Sequence, residues 1–547
     1  MTRDRILVCT NAYPPNFVGG AELIAHYQAK KLIEMGYEVI VFAGEHNNNG
    51  ARYSVRKDRY DGIDVYRVCL HDRDYSSDYF NFFHRQIEEC FSEMLSTFSP
   101  QVVHFHNIIG LSASLTRIAK NRGVKTFLTL HDYWGICFKN TLLKPDGTIC
   151  DGHSKCHDCN PHISDGEITD IPIRLRKDFV LSQLEFVDFF ISPSAFVAKR
   201  YIEAGMVAEK IRVIPNGIDT KRFSHIKKTK SSTKLRISYI GYLGKHKGID
   251  TVIESLAHLQ NRDLVQINLI GDGEESVRYR DRVRELGVSD VVRFWGKIDN
   301  SRIEEVYSQT DVLLLPSIWP ENQPVSITEA MAARIPIMAS RLGGIPELVE
   351  DGVTGFLFEA GNAIDLAQKI DHCLQTRDSL AHMGERGFDK ISVWSFENQM
   401  KHICNLYHSI TLQERCQSKK IVLYIGKNLN KQYTNMIDMF YHGNNDEFRF
   451  LLMEWLHEEE IKLADYACVV DNGTNIEDCN AALKAGIPLL VPENSLSLKN
   501  LCIDNKCGLY FSDALEAAIC LEYLNEHPAI KELLGLNSKQ LLIGSLS

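Results

Sequence analysis

Two glutamates carry the first chemical signal. Glu321 and Glu329 stand with seven residues between them in the stretch DVLLLPSIWPENQPVSITEAMAARIPIMASRLGGIPELVE, Asp311 to Glu350. A carboxylate only accepts hydrogen bonds, and a sugar diol presents two donors side by side. Such a pair suits a polyhydroxylated ligand. The amides of Asn322, Gln323 and Val325 fall near the positive end of the helix that follows and suit hydroxyl or phosphate oxygens. Pro324 has no amide proton, which is normal at a helix start. The plain alternative is a solvated loop glutamate and a surface helix glutamate, and the residues around them decide between the two.

Those residues spell a positioning scaffold. Val312–Leu315 is an apolar run closed by Pro316, Val325–Ala333 follows a helical pattern, and Ile335–Ala339 is a second apolar run ended by Gly343-Gly344. Strand, loop, helix and strand make a βαβ unit of a parallel sheet. Ligands of open α/β sheets sit beyond the carboxyl ends of the strands. Glu321 lies in such a loop and Glu329 on the helix after it.

The set Glu321-x7-Glu329, EAMAARIP, GGIPE and the turn Asp351-Gly352-Val353-Thr354-Gly355 resembles the donor-site signature of family 4 retaining glycosyltransferases of the GT-B architecture. The resemblance runs from about residue 5 to 410, and its motifs are specific as a set. It departs at Arg334, where the family usually has Gly. It implies an α/β fold with two Rossmann-like domains facing across a cleft: an acceptor-side domain over 1–220 and a donor-binding domain over 235–375. A helical segment over 376–410 returns to the first domain. The basic, serine- and threonine-containing run Lys221–Lys234 reads as the linker between them.

The resemblance also implies roles. Gly19 and Gly20, just before a helix, approach the donor diphosphate. His131, after the strand read at Thr126–Leu130, borders the donor sugar, with His106 and Asp132 as further candidates. PNGID, Pro215–Asp219, marks the passage between domains. In the family pattern Gly-Arg-x-x-x-x-Lys-Gly, Lys247-Gly248 matches but Tyr242 replaces the arginine, leaving Lys245 or His246 to supply the second charge. Phe294 to Lys297 border the base. Glu321, His131 and Lys247 are thus the expected catalytic set. Gly19, Gly20, Lys247, Glu321, Asn322, Gln323, Val325 and Glu329 are the expected donor-binding set. No catalytic metal is expected.

The insert over 137–160 departs from a plain Rossmann pattern. It brings Cys137, Cys150, Cys156 and Cys159 together with His153 and His157, in a loop of little apolar content. Four thiolates suffice for a tetrahedral structural zinc. The irregular spacing leaves free thiols in a loop as the other reading. Because the insert follows His131, it is expected to shape the acceptor pocket.

Composition sets outer limits. Among 547 residues, 44% are apolar and 24% charged, as in soluble globular proteins. The net charge of −10 gives no footprint for nucleic acid. No apolar run approaches the length of a membrane span, and Ile6–Cys9 is too short for a signal peptide. Fifteen cysteines without a secretion signal point to the reducing cytoplasm. The basic cluster Arg174, Arg176 and Lys177 reads as a solvated face and leaves peripheral contact with the inner face of a membrane open.

Beyond 420 the chain echoes itself. ADYACVVDNG parallels TDVLLLPS, and NAALKAGIPLLVPEN parallels TEAMAARIPIMASRL. Aligning the two Ile-Pro dipeptides sets Ala481 opposite Glu329 and Gly473 opposite Glu321, so both carboxylates are missing. Residues 420–547 therefore read as a degenerate, non-catalytic Rossmann-like half. The function implied is a retaining transfer of a sugar from a nucleotide-diphosphate sugar to a glycan or lipid-linked acceptor, in bacterial surface polysaccharide synthesis. The alternatives are a sugar-nucleotide epimerase of the same architecture and a non-catalytic sugar-binding or scaffold protein.

Overall fold

The computed structural model describes residues 4–16, 19–77, 79–150, 156–160, 162–163, 171–229, 232–409, 420–425, 448–452, 456, 461, 464–469, 474, 477–512 and 514–544. His153 and Gly473 lie outside the described residues.

The first sheet is built on β1 (Arg5–Thr10), whose run ILVCT is fully buried because helices cover both of its faces. Its strands are β2 (Glu38–His46), β3 (Val55–Tyr60), β4 (Ile63–Leu70), β5 (Val102–Phe105), β6 (Lys125–Thr129), β9 (Phe189–Ser192) and β10 (Ile211–Val213). A two-stranded ribbon, β7 (His162–Ile163) with β8 (Ile171–Pro172), stands apart. The sheet order is β10-β9-β6-β5-β1-β2-β4-β3. All pairs are parallel except the β3–β4 hairpin at the edge. The ends of β5 and β6 therefore lie side by side and deliver His106 and His131 to one place.

The second sheet is wholly parallel: β11 (Leu235–Ile240), β12 (Val265–Ile270), β13 (Val292–Gly296), β14 (Val312–Leu315), β15 (Ile337–Ser340) and β16 (Gly355–Phe358), in the order β13-β12-β11-β14-β15-β16. Every residue of β14 and β15 is buried, as a central parallel strand requires. Ile218 and Phe223 are buried in this lobe's core, and Asp219 accepts from the Arg222 amide to start the short helix Thr220–Ser224. The stretch read as a linker from Lys221 thus begins as packed structure of the second lobe.

The returning segment forms two helices rather than one. Leu380–Ile391 ends before Trp394, whose carbonyl accepts from Ile218 N–H at 2.8 Å, and a new helix runs Phe396–Ser409. That backbone bond ties the break to the PNGID turn. The second of these helices buries Met400, Ile403, Cys404 and Tyr407 against Ile6, Val8 and Val102 of the first sheet.

A third sheet, β17 (Lys420–Ile425), β18 (Phe448–Leu452), β19 (Tyr466–Val469), β20 (Leu489–Pro492) and β21 (Gly508–Phe511), is parallel in the order β18-β17-β19-β20-β21. This repeats the second sheet's order β12-β11-β14-β15-β16. Its strand β18 packs on the helix Ile173–Leu184, in which all twelve residues are buried. The basic cluster Arg174, Arg176 and Lys177 is on that helix and is 2–6% exposed. It is neither a solvated face nor a membrane face, because the helix is covered by protein on both sides. Arg174 pairs there with Asp178 at 2.8 Å. Among the described residues, no helix is long and apolar enough to cross a membrane.

Candidate functional site

Glu321 sits in the loop between β14 and the helix Val325–Ala332, and its side chain is buried. One oxygen, Oε1, accepts three hydrogen bonds: from Lys247 Nζ at 2.7 Å, Ser317 Oγ at 2.7 Å and Trp319 Nε1 at 2.8 Å. Among the described residues no protein donor reaches Oε2. Burial opposes ionisation of this carboxyl, but the Lys247 charge and these three donors outweigh it and hold it below the ordinary carboxylate range. Lys247 also lies over the Trp319 ring, 4.9 Å from its centroid.

Two glycines make this packing feasible. Gly248 has φ +72°, and a Cβ there would fall on the Pro316 carbonyl, so glycine lets Lys247 come close to the end of β14. Gly343 has φ +64°, and a side chain there would strike the backbone of Glu321. The next residue, Gly344, donates its N–H to Glu321 O at 2.7 Å. The Gly-Gly turn is therefore the rear wall of the Glu321 loop.

Glu329, on the helix Val325–Ala332, accepts from the Tyr307 hydroxyl at 2.8 Å. Burial pushes its carboxyl up to about 7, against the pull of Tyr307 and of the Arg222 guanidinium. The two glutamates are thus held in opposite states of charge readiness by their surroundings.

The Asn322 and Gln323 side chains do not face the Glu321 carboxylate. Asn322 Nδ2 donates to Leu130 O at 2.7 Å and to His131 O at 3.2 Å, and Ser194 Oγ donates to Asn322 Oδ1 at 2.7 Å. Gln323 pairs with the Asn216 backbone in both directions, at 2.6 and 3.2 Å. Tyr133 donates to Pro320 O at 2.8 Å. Glu347 accepts from the amides of Ala195 and Phe196, at 2.9 and 2.7 Å, at the start of a first-lobe helix. Together these bonds draw the Glu321 loop against the ends of β6 and β9, and the lobes meet.

His131 is brought close to this loop through its carbonyl, while its ring joins a buried histidine chain. His131 Nε2 lies 2.9 Å from His106 Nδ1, and the rings of His106 and His104 stack at 4.5 Å. His104 in turn bonds Tyr407 of the returning helix at 2.6 Å and Thr129 at 2.8 Å. Burial lowers all three, His131 to about 4 and His104 to about 3, so they are neutral at pH 7. Asp132 moves the other way, up to about 6, through burial. It accepts from Asn107 Nδ2 at 3.0 Å and from the Trp134 amide at 2.8 Å.

Gly20 opens the helix Gly20–Glu34 directly against the second lobe: a Cβ on it would lie 2.7 Å from Val325 Cγ2. The Gly19 amide donates to Glu22 at 3.0 Å, so in this conformation the helix's own carboxylate occupies the donor expected for a diphosphate. Tyr242 points to Glu274 and is 43% exposed. Of the two residues expected to replace the missing arginine, His246 is held to about 4, by burial and then by the Lys247 charge, and is neutral at pH 7. Lys245 is exposed. Lys247 is the cation in contact with the Glu321 loop. Arg334 takes φ +56° at the end of the Val325–Ala332 helix, where glycine would be unstrained. It is held there by Glu385 at 2.8 Å and by the Phe388 ring at 3.9 Å.

Cys137, Cys150, Cys156 and Cys159 line one cavity of about 20 Å³ beside the His131–Trp134 segment. Among the described residues, no group of three or more His, Cys, Asp or Glu side chains is placed to hold a metal ion, the four cysteines of the insert included.

Ser317, Trp319, Tyr133, Ser194 and Glu347 were not among the residues picked from sequence. Trp319 had a signal, a large aromatic between two prolines two residues before Glu321. Ser317 and Glu347 lie in the same stretch as Glu321, Glu347 within GGIPE, whereas Tyr133 and Ser194 belong to the first lobe and become neighbours only when the lobes meet.

With this geometry in view, comparison with known proteins is decisive for the family. The profile of glycosyl transferases group 1 matches residues 220–390, and that of glycosyltransferase family 4 matches 18–222. The chain belongs to these glycosyltransferases. Its fold is GT-B, as in Anabaena Alr3699/HepE in complex with UDP and glucose, at 19% identity and TM-score 0.55 over 75% of this chain and 100% of that one. The putative colanic acid biosynthesis glycosyltransferase WcaL of Escherichia coli is 31% identical over 211 residues, 37% of this glycosyltransferase and 52% of WcaL. The uncharacterized glycosyltransferase MJ1607 of Methanocaldococcus jannaschii is 23% identical over 420 residues, 74% of this chain and 97% of that one. The match thus spans about half the length of WcaL. At these identities the structural likeness carries the fold and not the substrate.

Proposed function

We propose that this glycosyltransferase moves a sugar, with retention of anomeric configuration, from a nucleotide-diphosphate sugar to a glycan or lipid-linked acceptor, in the assembly of a surface polysaccharide. The observation that carries the reading is the Glu321 carboxylate. Its Oε1 is saturated by three donors, while Oε2 is left to accept the sugar's hydroxyls. A carboxylate held ionised inside a cleft, fixed on one side only, is a positioned acceptor and not a stabilising ion pair alone.

The remaining groups take roles consistent with it. Lys247 offsets charge that builds on the departing diphosphate. Glu329 accepts from the ribose diol. His131, neutral, approaches the sugar from the first lobe, and closure excludes water. The bond from the anomeric carbon to the phosphate oxygen breaks, and the bond to the acceptor oxygen forms on the same face. The acceptor's proton passes to the departing phosphate. The names of WcaL and of the amylovoran biosynthesis glycosyltransferase AmsK of Erwinia amylovora, 31% identical over 174 residues, support polysaccharide assembly as the setting. The bound UDP of the Anabaena structure supports a uridine nucleotide as the first donor to try.

The experiment is incubation with a panel of nucleotide sugars, with and without oligosaccharide and lipid-linked acceptors, read by mass spectrometry. Nucleotide release that depends on an acceptor, with an α-linked product from an α-linked donor, supports the proposal. Epimer formation without an acceptor, or donor binding with no turnover against any acceptor, overturns it.

A further inference from the structure

We propose that Trp134 and His106 are positioning residues, which hold one buried water molecule between them and through it fix which nitrogen of His131 carries the proton. The proposal rests on the reading that His131 faces the donor sugar, and deepens it. A neutral imidazole has one N–H and one bare nitrogen, and the partner of one decides the state of the other. For His131 that partner is His106, whose Nδ1 lies 2.9 Å from His131 Nε2. The group on the far nitrogen of His106 therefore decides what His131 offers to a ligand.

That far nitrogen, Nε2, is buried and has no hydrogen-bond partner among the described residues. The indole Nε1 of Trp134 is in the same position. Both residues line one cavity of about 20 Å³, under the loop that follows β6. A buried water needs roughly 10–15 Å³ or more and two to four polar neighbours. The space meets that need and is too small for a sugar. Asp132 also lines it and supplies the third polar group.

The hydrogen-bond inventory sets the direction. An indole only donates, so Trp134 Nε1–H takes a lone pair of the water. The two protons of the water then need acceptors. Three other polar side chains of the lining are engaged. Asn107 Oδ1 accepts from the Ile109 amide, and Thr129 Oγ1 bonds His104. The Tyr201 hydroxyl accepts from the Gly135 amide and donates to Asp132 O. The Asp132 carboxylate and His106 Nε2 remain. His106 thus carries its proton on Nδ1 and donates it to His131 Nε2, and His131 keeps Nδ1–H as a donor. Burial holds both rings neutral, so neither settles the matter by taking a second proton. A neutral N–H donor is matched to a hydroxyl oxygen of the sugar.

The test begins with the full wild-type chain. Joint X-ray and neutron diffraction from deuterated crystals is expected to show one water on Trp134 Nε1, His106 Nε2 and Asp132, with deuterons on Nδ1 of both histidines. A dry cavity, or a deuteron on His131 Nε2, overturns the proposal. Trp134→Phe keeps a ring beside Arg176 and removes the donor. In protein labelled with ¹⁵N-histidine, this variant is expected to shift His131 from the Nδ1–H form toward the Nε2–H form. With that shift kcat falls about tenfold and the donor KM stays within about twofold. A fall in kcat without the shift marks Trp134 as structural and overturns the proposal. A shift with wild-type kcat overturns the placing of His131 on the sugar, while the diffraction result still decides the water. Should Trp134→Phe fail to fold, diffraction from the wild-type chain is decisive by itself.

Discussion

Replacing Glu321 by glutamine isolates the charge at the site. The three donors on Oε1 are Lys247, Ser317 and Trp319, at 2.7, 2.7 and 2.8 Å. They force the amide oxygen into that position, because an NH₂ group there would face three donors. The NH₂ then occupies the place of Oε2 and presents protons where a sugar hydroxyl needs an acceptor. Hydrogen bonds to a charged group are worth roughly 1.5–3 kcal/mol, and loss of two of them at the lower figure is about 3 kcal/mol. That corresponds to roughly a 150-fold fall in kcat/KM. Donor affinity falls less, because Lys247 released from its partner binds the diphosphate more freely. The assay is acceptor-dependent nucleotide release, with donor affinity by calorimetry and circular dichroism as the control for fold. Turnover within about threefold of wild type in a correctly folded Glu321→Gln protein would refute the assignment of Oε2 to the sugar. Glu321→Ala is expected to abolish transfer with the fold retained.

Asn322→Ala removes three hydrogen bonds between the lobes, about 3 kcal/mol of closed-state stabilisation; X-ray scattering of the free protein should show a larger radius of gyration, and an unchanged profile with wild-type turnover contradicts the clamp. Glu329, pushed up to about 7 by burial, is protonated as pH falls through 7 and then loses an acceptor for the ribose diol. Donor affinity is expected to weaken about tenfold from pH 8 to pH 6, and calorimetry should show this slope vanish in Glu329→Gln; a slope unchanged by that substitution removes Glu329 from the donor contact. His106→Phe leaves His131 Nε2 without its 2.9 Å partner. An orphaned buried group costs about 1–3 kcal/mol, so kcat should fall about tenfold or more while donor affinity holds within about twofold; steady-state kinetics that leave kcat untouched show that the histidine chain does not position His131.

Much of the fold was legible because parallel strands buried on both faces announce themselves as short apolar runs. Ile6–Cys9, Val312–Leu315 and Val265–Ile270 are of this kind, and each is a central strand. The β3–β4 hairpin was missed for the opposite reason: VRKDRY in β3 lies at an exposed edge, where charged residues are tolerated and the apolar signal is absent. The basic cluster on the helix Ile173–Leu184 misled because three charges within four residues normally mean solvent. Here the third sheet packs over the helix, and Asp178 and the Trp134 ring take up part of the charge.

The site divides along the same line. Sequence alone singled out the candidate groups: Glu321, Glu329, Lys247 and His131 lie in local motifs, where backbone geometry and side-chain type are fixed within a few residues. Sequence also determined the repeat, since the Ile-Pro turn of the tail recurs in a sheet with the same strand order. Only the tertiary structure decided what state those groups are in. Burial sets Glu329 near 7 and keeps His131 neutral, and Lys247 with Ser317 and Trp319 keeps Glu321 ionised. It decided also that Asn322 and Gln323 hold the lobes together, because their partners Leu130, Ser194 and Asn216 are more than a hundred residues away along the chain. Ionisation and closure depend on what surrounds a group in three dimensions, and no local motif records that.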